Sequence, residues 1–158
     1  MQIENGRFYF ISDEFIQKYG TKYNLMGNKE TGTKRPCYFC FKDKENEKII
    51  WFVPISKQCE KYKIIYSKKK QKINREPLNF VFGIVKDENA TFLIQNMFPI
   101  TKKYIEEKYQ VQKHDVTVSV PLQKEILEKA EDILRLATKG ICIAFSDLIA
   151  FKEDLLNE

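Results

Sequence analysis

The chain has 158 residues, 43% of them apolar, and a net charge of +5. That length and composition exclude a disordered chain and suit one folded domain spanning 1–158. No apolar run approaches the roughly 20 residues of a membrane span, and the opening "MQIENGRFYF" lacks a signal-peptide pattern, so a cytoplasmic protein without membrane contact is expected, with its four cysteines as free thiols.

"GRFYFIS" reads as a first strand. "SDEFIQKYG" follows as a short helix, with Ser12 as N-cap and Gly20 at its stop. "TKYNLMGNKETGTK" is a polar, glycine-punctuated loop. "PCYFCFKD" and "KIIWFVPI" are apolar, β-rich runs joined by "DKENE", which predicts a hairpin. "YKIIYS" reads as a further short strand or as part of a basic loop. "LNFVFGIV" and "ATFLIQNMF" predict a second hairpin around "KDEN". "TKKYIEEKYQ" reads as a short helix capped by Thr101, and "TVSV" as an added strand. "PLQKEILEKAEDILRLATKG" is the clearest helix, opened by Pro121 and closed by Gly140, with Leu122, Ile126, Ile133, Leu134 and Ala137 at helical spacing. A last segment opens at Ser146. The expected fold is α+β: a strongly twisted antiparallel β-sheet or small barrel core with flanking α-helices.

The charge is unevenly spread. Residues 120–158 carry five Lys/Arg against eight Asp/Glu, a net of −3, which leaves +8 on residues 1–119. The basic excess peaks in "SKQCEKYKIIYSKKKQKINR", Ser56 to Arg75, where Glu60 is the only acid. Lysines there suit phosphates, and the interleaved tyrosines suit stacking on unpaired bases. A solvated lysine-rich loop explains a charge run equally well.

Cys37 and Cys40 have the C-x-x-C spacing, but Cys59 and Cys142 are isolated and His114 is the only histidine. A tetrahedral zinc site needs a second ligand pair, and a redox pair would precede a helix. "PCYFCF" reads instead as a strand, whose positions i and i+3 point to opposite faces, so both thiols are expected to be structural. Phosphate loops, nucleophile elbows and compact acidic clusters are absent, so no metal and no cofactor is expected. Any active site must therefore be built from Ser, Thr, Tyr, Lys and Arg. "WFVPISKQCEKY" offers one place, where Ser56 and Lys57 leave a rigid strand end.

Several pieces, in this order, carry a resemblance: "RFYFISDEFIQKYG", "KRPCYFCF", "IIWFVPISKQCEKY", "FLIQNMFPITKKYI", the long helix and "GICIAFSDLIAF". Together they cover nearly the whole chain. It resembles the ToxN/AbiQ group of endoribonuclease toxins of type III toxin–antitoxin systems, most closely the CptN branch. One departure is that better-known members have Thr/Ser-Ser-Pro-Lys where this chain reads "PISKQ".

The resemblance implies a MazF/Kid-like fold and a metal-independent endoribonuclease. Such an enzyme cuts single-stranded, adenine-rich RNA and leaves 2′,3′-cyclic phosphate and 5′-hydroxyl ends. It implies cellular mRNA substrates and an antitoxin RNA, a pseudoknot cut from tandem repeats by the toxin itself. Several toxins and RNAs would form a closed hetero-oligomer that serves phage defence by abortive infection. On this resemblance the catalytic candidates are Ser56 and Lys57 at the scissile phosphate, Arg35 or Lys34 as charge stabiliser, and Tyr104 orienting the phosphate. Packing of Tyr104 against the sheet is the competing role for that residue. Lys61, Lys63, Lys68, Lys69, Lys70 and Lys72 are candidates for the RNA backbone. The alternative function is a non-catalytic basic RNA-binding module.

Overall fold

The computed structural model describes residues 2–26 and 34–158. Residues 27–33, half of the loop expected after the first helix, lie outside the described residues. The first strand, β1 (Phe8–Ile11), leads into helix α1 (Asp13–Tyr19). Ser12 caps α1 as expected, its hydroxyl accepting from the Phe15 N–H at 3.3 Å. β2 (Pro36–Lys42) and β3 (Ile50–Ser56) form the first hairpin. Asp43 organises its turn: the carboxylate accepts from the Trp51 indole at 2.8 Å and from the N–H groups of Glu45 and Asn46 at 3.1 Å. β4 (Phe80–Val85) and β5 (Glu88–Leu93) form the second hairpin. Its two turn residues, Lys86 and Asp87, have φ of 53° and 61°, the backbone hand that matches the twist of a two-residue hairpin.

β6 (Phe98–Ile100) and β7 (Ile105–Lys108) complete a seven-stranded sheet in the order β4-β5-β3-β2-β1-β7, with β6 paired beside β5 along the same edge of β3. A small hairpin, β8 (Gln110–Val111) with β9 (His114–Asp115), lies apart. Helices α2 (Cys59–Ile73), α3 (Val120–Thr138) and α4 (Leu148–Leu156) flank the sheet. The fold is thus α+β with an antiparallel sheet, and among the described residues that sheet stays open instead of closing into a barrel.

Both faces of the sheet are lined by rings. On one, Tyr9, Phe39 and Phe52 pack together, with α1 seated through Phe15 on Phe98 (ring centroids 5.7 Å apart) and on Phe151 of α4 (5.8 Å). On the other, Phe8, Tyr38 and Phe92 pack within 5.3–6.3 Å of one another. α3 covers that second face with Leu122, Ile126, Ala130 and Ile133, all buried, and comes so close at Gly83 that a Cβ there would lie 2.4 Å from Leu122. Cys37 and Cys40 are both buried free thiols. Cys37 shares a face with Phe39, and Cys40 falls at a bulge between Phe39 and Phe41, near Glu131 of α3.

Three expected elements differ. "YKIIYS" is neither strand nor loop but the middle of α2. Lys, Glu and Gln are good helix formers, and the helix docks by Tyr62 on Phe80 (5.1 Å) and Tyr66 on Phe82 (5.4 Å), a support that no local pattern contains. "TKKYIEEKYQ" is a single 3-10 turn, Lys102–Tyr104, followed by β7. Thr101 makes no cap bond, and the chain instead completes the open side of β1, with Ile11 opposite Ile105 and Tyr9 opposite Lys108. "TVSV" supplies one isolated bridge, Arg7 to Thr117, instead of a strand. No described helix is long and apolar enough to cross a membrane.

Candidate nucleic-acid interface

Ser56 ends β3, and its neighbours follow from the ladder. Thr91 of β5 stands directly opposite it on one side. On the other side the ladder with β2 ends at Cys37 opposite Pro54, and Arg35, two residues before Cys37, leads into β2 at that same end of the sheet. The chain then turns through Lys57 and Gln58 into α2. The Ser56 hydroxyl accepts from the Gln58 N–H at 3.1 Å, and the Cys59 N–H donates to the Lys57 carbonyl at 2.9 Å. Gln58, the N-cap, makes no side-chain cap bond. Ser56 and Lys57 therefore sit at the start of a 15-residue helix whose first N–H groups and dipole favour an anion. The fold thus brings Ser56, Lys57 and Arg35 to one corner.

Each cation at this corner has its own setting. Lys57 is 75% exposed and ion-paired with Glu88 at 3.1 Å. Lys34 bonds Glu106 of β7, which raises its pKa above the ordinary lysine value and keeps it cationic. Arg35 is half-buried at the entrance of β2. Thr91 was not legible as a site residue: it is fully buried, and its hydroxyl finds no hydrogen-bond partner among the described residues. Glu88 and Glu106, the counter-ions, were missed as well, since only the folded sheet places them.

Tyr104, the other residue expected at the phosphate, is not brought to this corner but lies toward the opposite end of β3, where Ile100 pairs with Ile50. It is 1% exposed, in the 3-10 turn, with its ring against Phe15 (5.2 Å). Its hydroxyl meets both oxygens of Glu158 at 2.8 Å. Lys18, Lys103 and Tyr19 converge on the same carboxylate. Burial works against that charge, but the bonds from Lys103, Tyr19, Tyr104 and Lys18 outweigh it and hold the Glu158 carboxyl down to about 2. A group whose folded pKa is depressed stabilises the protein above its unfolded pKa and loses that stability as pH falls through the folded one. Glu158 should therefore contribute on the order of 2 kcal/mol at neutral pH, lost between about 4.5 and 2. Denaturant melts of the native chain and Glu158→Gln should diverge at pH 7 and converge near pH 2.

The lysines of α2 fall on two flanks. Lys63 and Lys70 are paired with Glu60 (3.8 Å) and Glu76 (2.7 Å). Lys61, Lys68 and Lys72 share the other flank and, like Lys69, make no ion pair among the described residues. Tyr62 and Tyr66 are occupied by the sheet, so the interleaved rings serve packing where base stacking was expected. If this flank meets RNA, Lys61→Gln, Lys68→Gln and Lys72→Gln together should flatten the plot of log affinity against log salt by about 2, at ~0.7 per lost single-strand phosphate contact. An unchanged slope in a filter-binding salt series would remove α2 from the interface.

No family model matches the sequence, and no curated protein matches it. Solved structures do resemble it over nearly full length. One belongs to work on bacterial type III toxin–antitoxin systems in which a non-coding RNA pseudoknot selectively inhibits the toxin: 17% identity, TM-score 0.69, 98% of each chain covered. Another is AbiQ, a lactococcal anti-phage endoribonuclease of a type III system: 14% identity, TM-score 0.70, 97% of each chain. A third comes from a bacterial antiviral system regulated by a processed non-coding RNA: 11% identity, TM-score 0.65, 96% of this chain and 98% of that one. The chain shares the fold of these solved structures, two of them from type III toxin–antitoxin systems, over nearly its whole length.

Proposed function

We propose that the chain is a single-domain endoribonuclease toxin of a type III toxin–antitoxin system, working in the cytoplasm on cellular mRNA. The observation that carries this reading is the end of the sheet where Ser56 and Lys57 lead into the uncapped start of α2 and Arg35 leads into β2, beside a flank of lysines without ion pairs among the described residues. The shared fold with an anti-phage endoribonuclease supports it.

The chemistry needs no nucleophile from the protein. The RNA 2′-oxygen attacks the adjacent phosphorus, the P–O5′ bond breaks, and the products are a 2′,3′-cyclic phosphate and a 5′-hydroxyl. One proton must leave the 2′-hydroxyl and one must reach the 5′-oxygen. Charge building on the phosphorane oxygens is met by Lys57, Arg35 and the first N–H groups of α2, with Lys34 reinforcing the positive field. Ser56 hydrogen-bonds a phosphate oxygen or relays the proton. The Lys57–Glu88 pair opens to admit the phosphate. Tyr104, its hydroxyl held by Glu158 toward the opposite end of β3 from Ser56, takes no direct part in these steps. No metal is required in this scheme, and adenine-rich single strands are the proposed substrate.

The antitoxin is a repeat-derived RNA pseudoknot that binds the same basic corner, and several toxins close with several RNAs into a hetero-oligomer. Expression of the chain in bacteria, with and without the tandem-repeat RNA encoded upstream of its gene, tests the pairing. Growth arrest relieved only by that RNA is expected. Arrest that the RNA leaves unchanged, or no arrest at all, counts against it. The non-catalytic RNA-binding alternative is favoured by one observation, the engagement of Lys57 by Glu88 and of the Ser56 hydroxyl by the backbone, and it requires RNA to be bound but left intact.

A further inference from the structure

A cavity of about 650 Å³ opens at the other end of β3, some 20 Å along the strand from Ser56. The register shows why charge gathers there. Lys42 ends β2 opposite Ile50, and Ile100 ends β6 on the other side of Ile50, followed by Lys102 and Lys103. Lys48 closes the rim from the hairpin turn. Three of these lysines, Lys42, Lys48 and Lys102, are exposed and make no ion pair among the described residues. The fourth, Lys103, is held by Glu158, itself a wall of the cavity. Thr101 lines the same cavity, and its hydroxyl is buried with no hydrogen-bond partner among the described residues, a cost that turning it toward a ligand would relieve. Among the described residues, Glu47 is the only other acid in the wall.

Four ammonium groups around a roomy, open hollow are a phosphate-recognising arrangement. The Glu158 carboxylate shows that this corner already holds one oxyanion, with Lys18, Lys103, Tyr19 and Tyr104 as its donors. We propose that this cavity is a second phosphate-binding site, remote from Ser56, in which Lys42, Lys48 and Lys102 seat a phosphate that competes with Glu158 for Lys103. The phosphate comes from the RNA backbone or from free anion. The first source rests on the RNA reading above.

The test pairs two measurements on the full chain and on a triple variant, Lys42→Gln with Lys48→Gln and Lys102→Gln. Inorganic phosphate is titrated while backbone amide resonances of residues 48 and 101–103 are followed. Saturable shifts in the native chain, lost in the triple variant and several-fold tighter in Glu158→Gln, are expected. Binding of a single-stranded RNA is then measured across salt, and the triple variant should lower the log–log slope by about 2. Phosphate saturation without any RNA effect assigns the site to free anion, and a slope change assigns it to RNA. No saturation together with an unchanged slope, in a chain that still binds and cuts RNA, overturns the inference. Failure of the native chain to bind or cut RNA at all instead overturns the endoribonuclease reading and leaves the phosphate titration to decide the cavity. Melting curves of each variant exclude loss of fold as the cause.

Discussion

Replacing Lys57 by Ala should abolish RNA cleavage and cellular toxicity while leaving the fold intact. The side chain is 75% exposed and follows the end of β3 without entering the core, so stability should change by no more than about 0.5 kcal/mol. Its loss removes a cation from the place where phosphorane charge develops, an effect of about 10²–10³ on rate for a single stabilising donor and larger if the same group also moves a proton. Arg35→Ala should follow it in direction, because Arg35 enters β2 at the same end of the sheet where β3 finishes at Ser56. Glu88→Gln separates the roles of the ion pair: freeing Lys57 should keep or raise activity. Full toxicity of Lys57→Ala at matched expression would remove this corner from the mechanism.

The largest stability effect should come from Asp43. Its side chain is 4% exposed and paired with Lys152 of α4 at 2.7 Å, while it also accepts from Trp51 and from two backbone N–H groups. Burial opposes its charge, but the bonds from Lys152, Trp51 and the Asn46 N–H outweigh it and keep its pKa below the ordinary value. Asp43→Ala leaves a mostly covered ammonium and a buried indole N–H without that partner, at a cost of about 3–5 kcal/mol. For a domain stable by roughly 5–15 kcal/mol this is a large share. Glu45, 3.1 Å from Lys152 but 84% exposed, compensates little. Asp43→Asn keeps an acceptor for Trp51 and should recover part of the loss. Urea melts decide it, and a change within about 0.5 kcal/mol for Asp43→Ala would mean that the turn is held by other contacts.

What could be read from sequence depended on how local its cause was. The two hairpins were legible because alternating apolar residues and turn chemistry act within a few positions. α1 announced itself through Ser12, and α3 through Pro121, Gly140 and a stripe from Leu122 to Ala137. α2 hid because Ile64, Ile65 and Tyr66 look like strand, and its docking face exists only once Phe80 and Phe82 stand on β4. β7 hid for the converse reason: Lys and Glu favour helix, but the open side of β1 wins. The placing of Arg35 and Ser56 at one end of the sheet follows from the first hairpin and so was within reach. Thr91, Glu88 and the Glu158 cluster were not, since pairings across 30 to 140 positions bring them in.

Incubating the purified chain with single-stranded RNA in EDTA, and mapping the ends of any fragments, tests the central claim most directly. New fragments with 2′,3′-cyclic phosphate and 5′-hydroxyl ends, absent with Lys57→Ala, are expected. Bound but intact RNA, or fragments that form only when a divalent cation is restored, would contradict it.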